Sequence, residues 1–230
     1  YYETVNPVFT DRETFELFED GNGRQPISVK DASRRGVNIL RNTLMGSLLN
    51  VYRNNINVGN EGCMFYEIAN TFNASSGKDT LPKEQTMLSL LCEGDFRRLR
   101  GTVEGVISLL NRQAKAEFQP VECTWAEAGA RILCNGDLLG KAGAVGERLK
   151  KYFDTGDREV MVCELDFNRL LHLSTEDFEM EPIPVYPAVD RDLSLVVNES
   201  VTWSQITEAV YSGPAGKLEN MTFAGIYRGK

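Results

Sequence analysis

Histidine is nearly missing from this chain: His172 is the only one in 230 residues. A zinc site or a Cys–His nucleophile pair would have to be built on that one imidazole, so neither chemistry is supported. The five cysteines, Cys63, Cys92, Cys123, Cys134 and Cys163, are odd in number and show no CxxC spacing. All but Cys123 lie within or beside apolar runs, which fits buried, reduced thiols in a cytoplasmic protein. No apolar run approaches the roughly 20 residues that a membrane span requires. The first residues, Tyr1-Tyr2-Glu3-Thr4, include neither Met nor a basic segment, so no signal peptide is expected and the sequence reads as beginning inside a longer protein. Positive charge is also in deficit, with 25 Lys and Arg against 33 Asp and Glu and a net charge of -8. A stand-alone nucleic-acid binder is usually basic, because phosphate neutralisation supplies much of its affinity. Arg34-Arg35, Arg97-Arg98 with Arg100, and Lys150-Lys151 read as solvated helix ends. Repeats and low-complexity tracts are lacking.

What is present is ordinary globular composition, 42% hydrophobic and 25% charged, with room for one large domain or one plus a partial second. Residues 1–10 read as an edge strand. Asp20-Gly21-Asn22-Gly23 and Pro26 mark a tight turn, and Asp31 or Ser33 can cap a helix. Val37, Leu40, Leu44, Leu48 and Val51 recur at helical spacing, with Leu49 and Tyr52 beside them, which predicts an amphipathic helix over 37–52. Strands are expected at 62–72, 86–92, 117–123, 130–134, 138–143 and 160–166, with helices at 101–115, near 145–153 and at 167–171. The acidic stretch 174–182 is the best linker candidate. Beyond it the pattern gives a strand at 190–197, a helix at 203–212 and a strand at 220–227, half of a ferredoxin-like unit. The expected class is α+β: a mixed, mainly antiparallel sheet with helices packed against one face.

The most specific string is Tyr186-Pro187-Ala188-Val189-Asp190-Arg191-Asp192-Leu193-Ser194-Leu195-Val196-Val197. It resembles the "YPxxxRDLSLVV" segment of the bacterial phenylalanyl-tRNA synthetase beta chain. Other stretches follow in that family's order. Leu40-Arg41-Asn42-Thr43-Leu44-Met45-Gly46 resembles "LRxSLLPG", with Met-Gly where Pro-Gly is usual. Phe65-Tyr66-Glu67-Ile68-Ala69-Asn70-Thr71-Phe72 is similar to "LFEIGRVF", and Arg100-Gly101-Thr102-Val103-Glu104 to "KGxVE". Cys163-Glu164-Leu165-Asp166 resembles "xELDL". Phe223-Ala224-Gly225-Ile226-Tyr227-Arg228-Gly229 looks like "LFDVYRG", softened by Ala224-Gly225.

The resemblance implies that residues 1–179 are a class II synthetase-like core that is not itself catalytic, and that residues 182–230 begin an anticodon-binding, ferredoxin-like module. It implies an alpha subunit as partner, with ATP, Mg²⁺, phenylalanine and tRNA belonging to the holoenzyme and no cofactor on this segment. The helix at 37–52 matches the family's subunit-contact helix. Leu40, Arg41, Leu44 and Leu48 are therefore expected at the interface, and an exposed stripe there would let the isolated chain form a homodimer. The other reading of the same stripe is that it covers this domain's own sheet. Arg191, between Asp190 and Asp192, reads either as a local ion pair or as a tRNA phosphate contact.

Class II activation holds the α-phosphoryl charge with preorganised cations, one arginine coming from a strand–loop–strand motif and one following a glycine-rich turn. The strand at 62–72 has no basic residue, and Glu67 in its middle has the wrong sign. Gly140-Lys141-Ala142-Gly143-Ala144-Val145-Gly146-Glu147-Arg148 resembles the glycine-rich motif, and a stand-alone nucleotide-binding transferase would use it as a phosphate loop. Its other reading is a tight turn before a helix, with Arg148 a partly solvated helix residue.

Overall fold

Apolar residues on consecutive, oppositely pointing positions decide the architecture. The computed structural model describes residues 1–19, 25–30, 36–75, 81–175, 185–213 and 218–227. The expected turn at Asp20–Gly23, the cap at Asp31 or Ser33 and most of the acidic linker lie outside the described residues. In chain order the elements are β1 (Tyr2–Glu3), β2 (Phe9–Thr10), α1 (Arg12–Leu17), β3 (Ile39–Leu40) and α2 (Met45–Asn57). Next come β4 (Met64–Asn73), β5 (Lys83–Glu93), α3 (Phe96–Leu110), β6 (Ala116–Pro120), β7 (Ala126–Cys134) and β8 (Asp137–Val145). The last are α4 (Glu147–Tyr152), β9 (Val160–Asp166), α5 (Phe167–His172) and α6 (Trp203–Tyr211). Seven strands form one sheet in the order β1-β4-β5-β9-β8-β7-β6. Every neighbour is antiparallel except β1 on β4. The β7–β8 hairpin turns at Asn135-Gly136, where φ is 52° and 85°, the left-handed geometry that an Asn-Gly pair supplies at low cost.

Helices cover both faces of this sheet, not one. On β5 and β9, Leu91 and Val162 join one core with Leu48, Leu49 and Tyr52 of α2 and with Leu149, Phe153 and Trp125. The alternate residues Leu90, Cys92, Met161, Cys163 and Leu165 join a second core with Leu99, Val103 and Ile107 of α3 and Leu170 of α5. Central strands that are apolar on both sides need two covers, since either face left wet would forfeit roughly 25 cal/mol per Å² of apolar surface.

Two helices are displaced from their expected positions. The helix expected from residue 37 begins at Met45. Ahead of it Leu40 donates its N–H to the Ile27 carbonyl, Arg41 donates to Val8, and the Arg41 carbonyl accepts from Phe72. Those backbone groups are committed to neighbouring extended chain, so the helical spacing of Val37, Leu40 and Leu44 cannot be realised as a helix. The α3 helix starts five residues ahead of the expected 101, because Asp95 caps it: its side chain accepts from the Arg98 N–H.

Residues Tyr1–Phe178 and Glu179–Lys230 separate into two compact units. In the second, α6 has a reciprocal capping box between Thr202 and Gln205, and Trp203 meets Phe223 edge-on at 5.3 Å. The strands expected at 190–197 and 220–227 are not formed among the described residues. Leu193, Leu195 and Val196 stand 75%, 56% and 104% exposed. With no partner ladder on either side, the backbone of that stretch gains nothing from extending into a sheet. Amide exchange followed by mass spectrometry is expected to be fast over 203–211, where no residue is buried, and slow over β9 at the sheet centre. Equal, strong protection of both segments would show that 185–227 is integral to the first unit.

Candidate functional site

A transverse polar row crosses the face of the sheet that α2 covers. The register places Glu67 of β4 opposite Ser89 of β5, and Ser89 opposite Glu164 of β9. Glu67 is 2% exposed and Ser89 is fully buried. An isolated ionised carboxylate at such a depth costs many kcal/mol, so it must find a partner. Arg41, itself 2% exposed, places Nη1 2.9 Å from the Glu67 Oε1. The guanidinium also donates to backbone, Nε to the Asn70 carbonyl at 3.2 Å and the same Nη1 to the Pro7 carbonyl at 3.5 Å. Asn6 completes the Glu67 shell, its backbone N–H reaching Oε1 at 3.2 Å and its side-chain amide reaching Oε2 at 2.8 Å. One ion pair thus ties the N-terminal segment, the residue after β3, and β4 into one body.

Glu164 serves α2. The helix N-cap residue is Leu44, which has no side chain able to cap. Glu164 Oε1 takes over, accepting the Leu44 N–H at 2.7 Å and the Thr43 hydroxyl at 2.9 Å. The Thr43 hydroxyl also accepts the Met45 N–H at 3.1 Å. Burial pushes the Glu164 carboxyl from the ordinary 4.5 up to about 7; the Leu44 N–H, the Thr43 hydroxyl and Arg41 oppose that rise, and Glu67 adds to it. Ser89 donates to the Cys163 carbonyl at 2.9 Å, so the middle of the row is satisfied internally. The arrangement ties elements to one another; Glu67 and Ser89 are buried and Glu164 is half-buried.

The glycine-rich segment does not form the expected turn. Gly140 and Gly143 lie within β8, and Gly146 is the N-cap of α4. A Cβ at Gly140 would overlap the Glu164 carbonyl oxygen, and one at Gly143 would lie 2.7 Å from the Ala128 carbonyl and 3.2 Å from Trp125. These glycines exist for close strand packing. Their surroundings are carbonyl oxygens, which repel phosphate. Arg148 is an exposed residue of α4 whose Nη2 donates to the Leu17 carbonyl at 2.7 Å. Nearby, a groove of about 470 Å³ is lined by Asp95, Glu127, Glu147, Asp157 and Glu159 around Lys150. The Lys150 ammonium is already held by Glu147 at 3.0 Å and Glu127 at 3.8 Å, so the groove is hostile to a nucleotide.

The residues expected at a subunit interface occupy other places. Leu44 and Leu48 are fully buried under α2, Arg41 is buried in its ion pair, and Leu40 is half-buried in β3. Leu44 and Leu48 of the apolar stripe cover this chain's own sheet, while Val37, 48% exposed, stands outside that core. Arg191 is exposed and its guanidinium donates to the Asp190 carbonyl at 3.0 Å. No cluster of three His, Cys, Asp or Glu side chains among the described residues is placed to hold a metal ion. Cys63, Cys92, Cys134 and Cys163 are buried, and burial pushes all four thiols up, away from nucleophilic thiolate. Among the described residues no helix is long and apolar enough to cross a membrane.

Comparison with known proteins agrees over most of the chain. Residues 1–167 match the family model described as the phenylalanyl tRNA synthetase beta chain CLM domain. The chain is 30% identical over 208 residues to the phenylalanine–tRNA ligase beta subunit of Bacillus subtilis (strain 168), covering 84% of this chain and 26% of that protein. It is 26% identical over 245 residues to the beta subunit of Shouchella clausii, covering 99% of this chain and 30% of that protein. The chain therefore spans between a quarter and a third of the length of these relatives. Among solved structures, a pyrrolysyl-tRNA synthetase from Desulfitobacterium hafniense superposes with a TM-score of 0.60 at 16% identity, over 75% of this chain and 63% of that one. That is a likeness of fold.

The buried pair makes a stability prediction. Arg41→Met leaves Glu67 desolvated and unpaired, and is expected to destabilise the first unit by about 3–5 kcal/mol in urea titration. Adding Glu67→Met removes the orphaned charge and should recover most of that loss. A single variant within about 0.5 kcal/mol of the parent would show that the pair holds nothing together.

Proposed function

The chain belongs to the phenylalanyl-tRNA synthetase beta chain family, and from that premise we propose that it is the scaffold part of a phenylalanine–tRNA ligase beta subunit: a non-catalytic, synthetase-like core of residues 1–179, followed over 182–230 by the start of a tRNA-contacting module. The observation that carries the reading is the Arg41–Glu67 ion pair. A class II site needs an arginine on the strand that here is β4, and that place holds a buried carboxylate already neutralised from behind. The holoenzyme would use ATP, Mg²⁺, phenylalanine and tRNA, in the cytoplasm. The residues of this segment do not fit ATP, because the β8 glycines abut carbonyl oxygens and Arg148 is engaged with Leu17.

The partner in this reading is the alpha subunit. Leu40, Arg41, Leu44 and Leu48 would act on that interface indirectly, by fixing α2 against the sheet, and the outward Asn54 and Asn57 would be the surface α2 offers. Arg191 is the proposed tRNA contact because its guanidinium is exposed; its flanking carboxylates predict a small contribution.

The rival, a stand-alone nucleotide-binding transferase using Gly140–Arg148, gains no support from this geometry. Two measurements separate the readings. Pyrophosphate exchange with phenylalanine and ATP–Mg²⁺ is expected to stay at background for this chain alone, and calorimetry with ATP–Mg²⁺ should show no saturable heat. Turnover, or binding weakened by Arg148→Ala, would sink the scaffold reading. Co-expression with a phenylalanyl-tRNA synthetase alpha subunit should yield a complex that survives gel filtration.

A further inference from the structure

The hairpin tip between β7 and β8 brings together features that the scaffold reading does not use. Asn135 and Gly136 are both exposed, with φ of 52° and 85°. Among the described residues, no hydrogen bond holds the Asn135 carboxamide, and the Gly136 N–H donates to no carbonyl. Other asparagines are pinned. Asn111 Oδ1 accepts the Gln113 N–H at 2.9 Å and the Ala114 N–H at 3.2 Å. Asn198 Oδ1 accepts the Ser200 N–H at 3.1 Å and its hydroxyl at 3.0 Å. The space around Gly136 is open, since even a Cβ there would meet nothing within 4 Å. We propose that Asn135 is a self-modification site, converted without an enzyme to aspartate and isoaspartate through attack by the Gly136 nitrogen.

The Gly136 amide nitrogen gives its proton to solvent base and attacks the Asn135 Cγ. A nitrogen–carbon bond forms, the Cγ–Nδ2 bond breaks, and the departing nitrogen takes a proton from water to leave as ammonia. Nothing is oxidised or reduced. Water then opens the cyclic imide at either carbonyl. Opening at Cγ restores the ordinary backbone, as aspartate. Opening at the Asn135 main-chain carbonyl routes the backbone through the side chain, as isoaspartate, one methylene longer. Glycine at the second position serves twice: it has no Cβ to crowd the attacking nitrogen, and it accepts the left-handed geometry of the turn. The added methylene falls in a two-residue turn whose length sets the pairing of Cys134 with Asp137 and Leu133 with Leu138. β8 cannot absorb a slip, because Gly140 abuts the Glu164 carbonyl. Isoaspartate at position 135 therefore loosens the β7–β8 ladder from its tip inward.

The test is made on the whole chain, incubated at neutral pH in ¹⁸O-labelled water and mapped peptide by peptide. Mapping separates Asn135-Gly136 from Asn22-Gly23, a pair outside the described residues. The peptide carrying Asn135 is expected to lose its amide, take up ¹⁸O, and split into two chromatographic forms, aspartate and isoaspartate. Conversion should quicken as pH rises, because the attacking nitrogen must lose its proton; a rate that ignores pH counts against this route. The chain unfolded in urea is the reference. An Asn135 that stays amidated in the folded chain while converting in urea shows that the turn blocks the attack, and overturns the proposal. In the isoaspartate fraction, amide exchange over 139–145 should quicken. Freshly purified Asn135→Asp carries the same added charge on an ordinary backbone, and should keep the parent's protection. Equal loss of protection in Asn135→Asp assigns the effect to charge and overturns the register argument.

Discussion

A carboxylate that cannot reach water must be met by a cation that cannot leave. Glu67 in the middle of β4 imposes that constraint. Its partner cannot come from the sheet, where Ser89 and Glu164 are its row neighbours. It comes from Arg41, the residue that follows β3, and the guanidinium can reach Glu67 only if that segment lies across β4. The same placement directs the Pro7 carbonyl and the Asn6 amide groups toward the pair. The N-terminal strands, the start of α2 and the edge of the main sheet are therefore positioned by one electrostatic requirement. Hydrophobic burial supplies most of the stability of such a domain but has no direction; the ion pair supplies the registration.

Close approach between strands does for the other half of the sheet what charge does for this one. Gly140 and Gly143 allow β8 to sit where any side chain would strike the carbonyls of β9 or β7. Trp125, 2% exposed, fills the space over Gly143 and joins the core under α4. A glycine series that could cradle phosphate at the end of a strand becomes a packing device when it lies inside the strand. The surrounding backbone then presents oxygens in place of N–H groups.

How much of this was legible in the sequence divides along physical lines. Strands β4 to β9 are marked by apolar, strand-type runs and by turn residues such as Asn135-Gly136, both local signals. The class of fold followed from them, and the order of family-like strings added the family. The start of α2 is not legible, because Val37 and Leu40 continue a helical spacing by coincidence while hydrogen bonds with Ile27, Val8 and Phe72 hold that backbone extended. Such bonds are non-local and leave no periodic trace. The Arg41–Glu67 pair spans 26 residues and was read as two separate features, an interface arginine and an intrusive acid. One signal could have joined them: a lone acid in the middle of a strand otherwise fit for burial demands a buried cation, and Arg41 is the only basic residue within the apolar 39–52 stretch.

The location of the polar row bears on what the buried polar groups of this sheet do. An active site needs polar groups held ready but unsatisfied, each of them a standing cost to stability until substrate arrives. Here the equivalent polar groups answer one another: Arg41 meets Glu67, Glu164 meets the end of α2, and Ser89 meets the Cys163 carbonyl. Residues of the kind that would otherwise address a ligand are spent on joining elements. Replacing Glu67 with arginine would set two buried guanidinium groups together in place of an ion pair, and would lose the fold before gaining a phosphate clamp. The ion pair and the Glu164 contact at the start of α2 hold the elements of this unit in place.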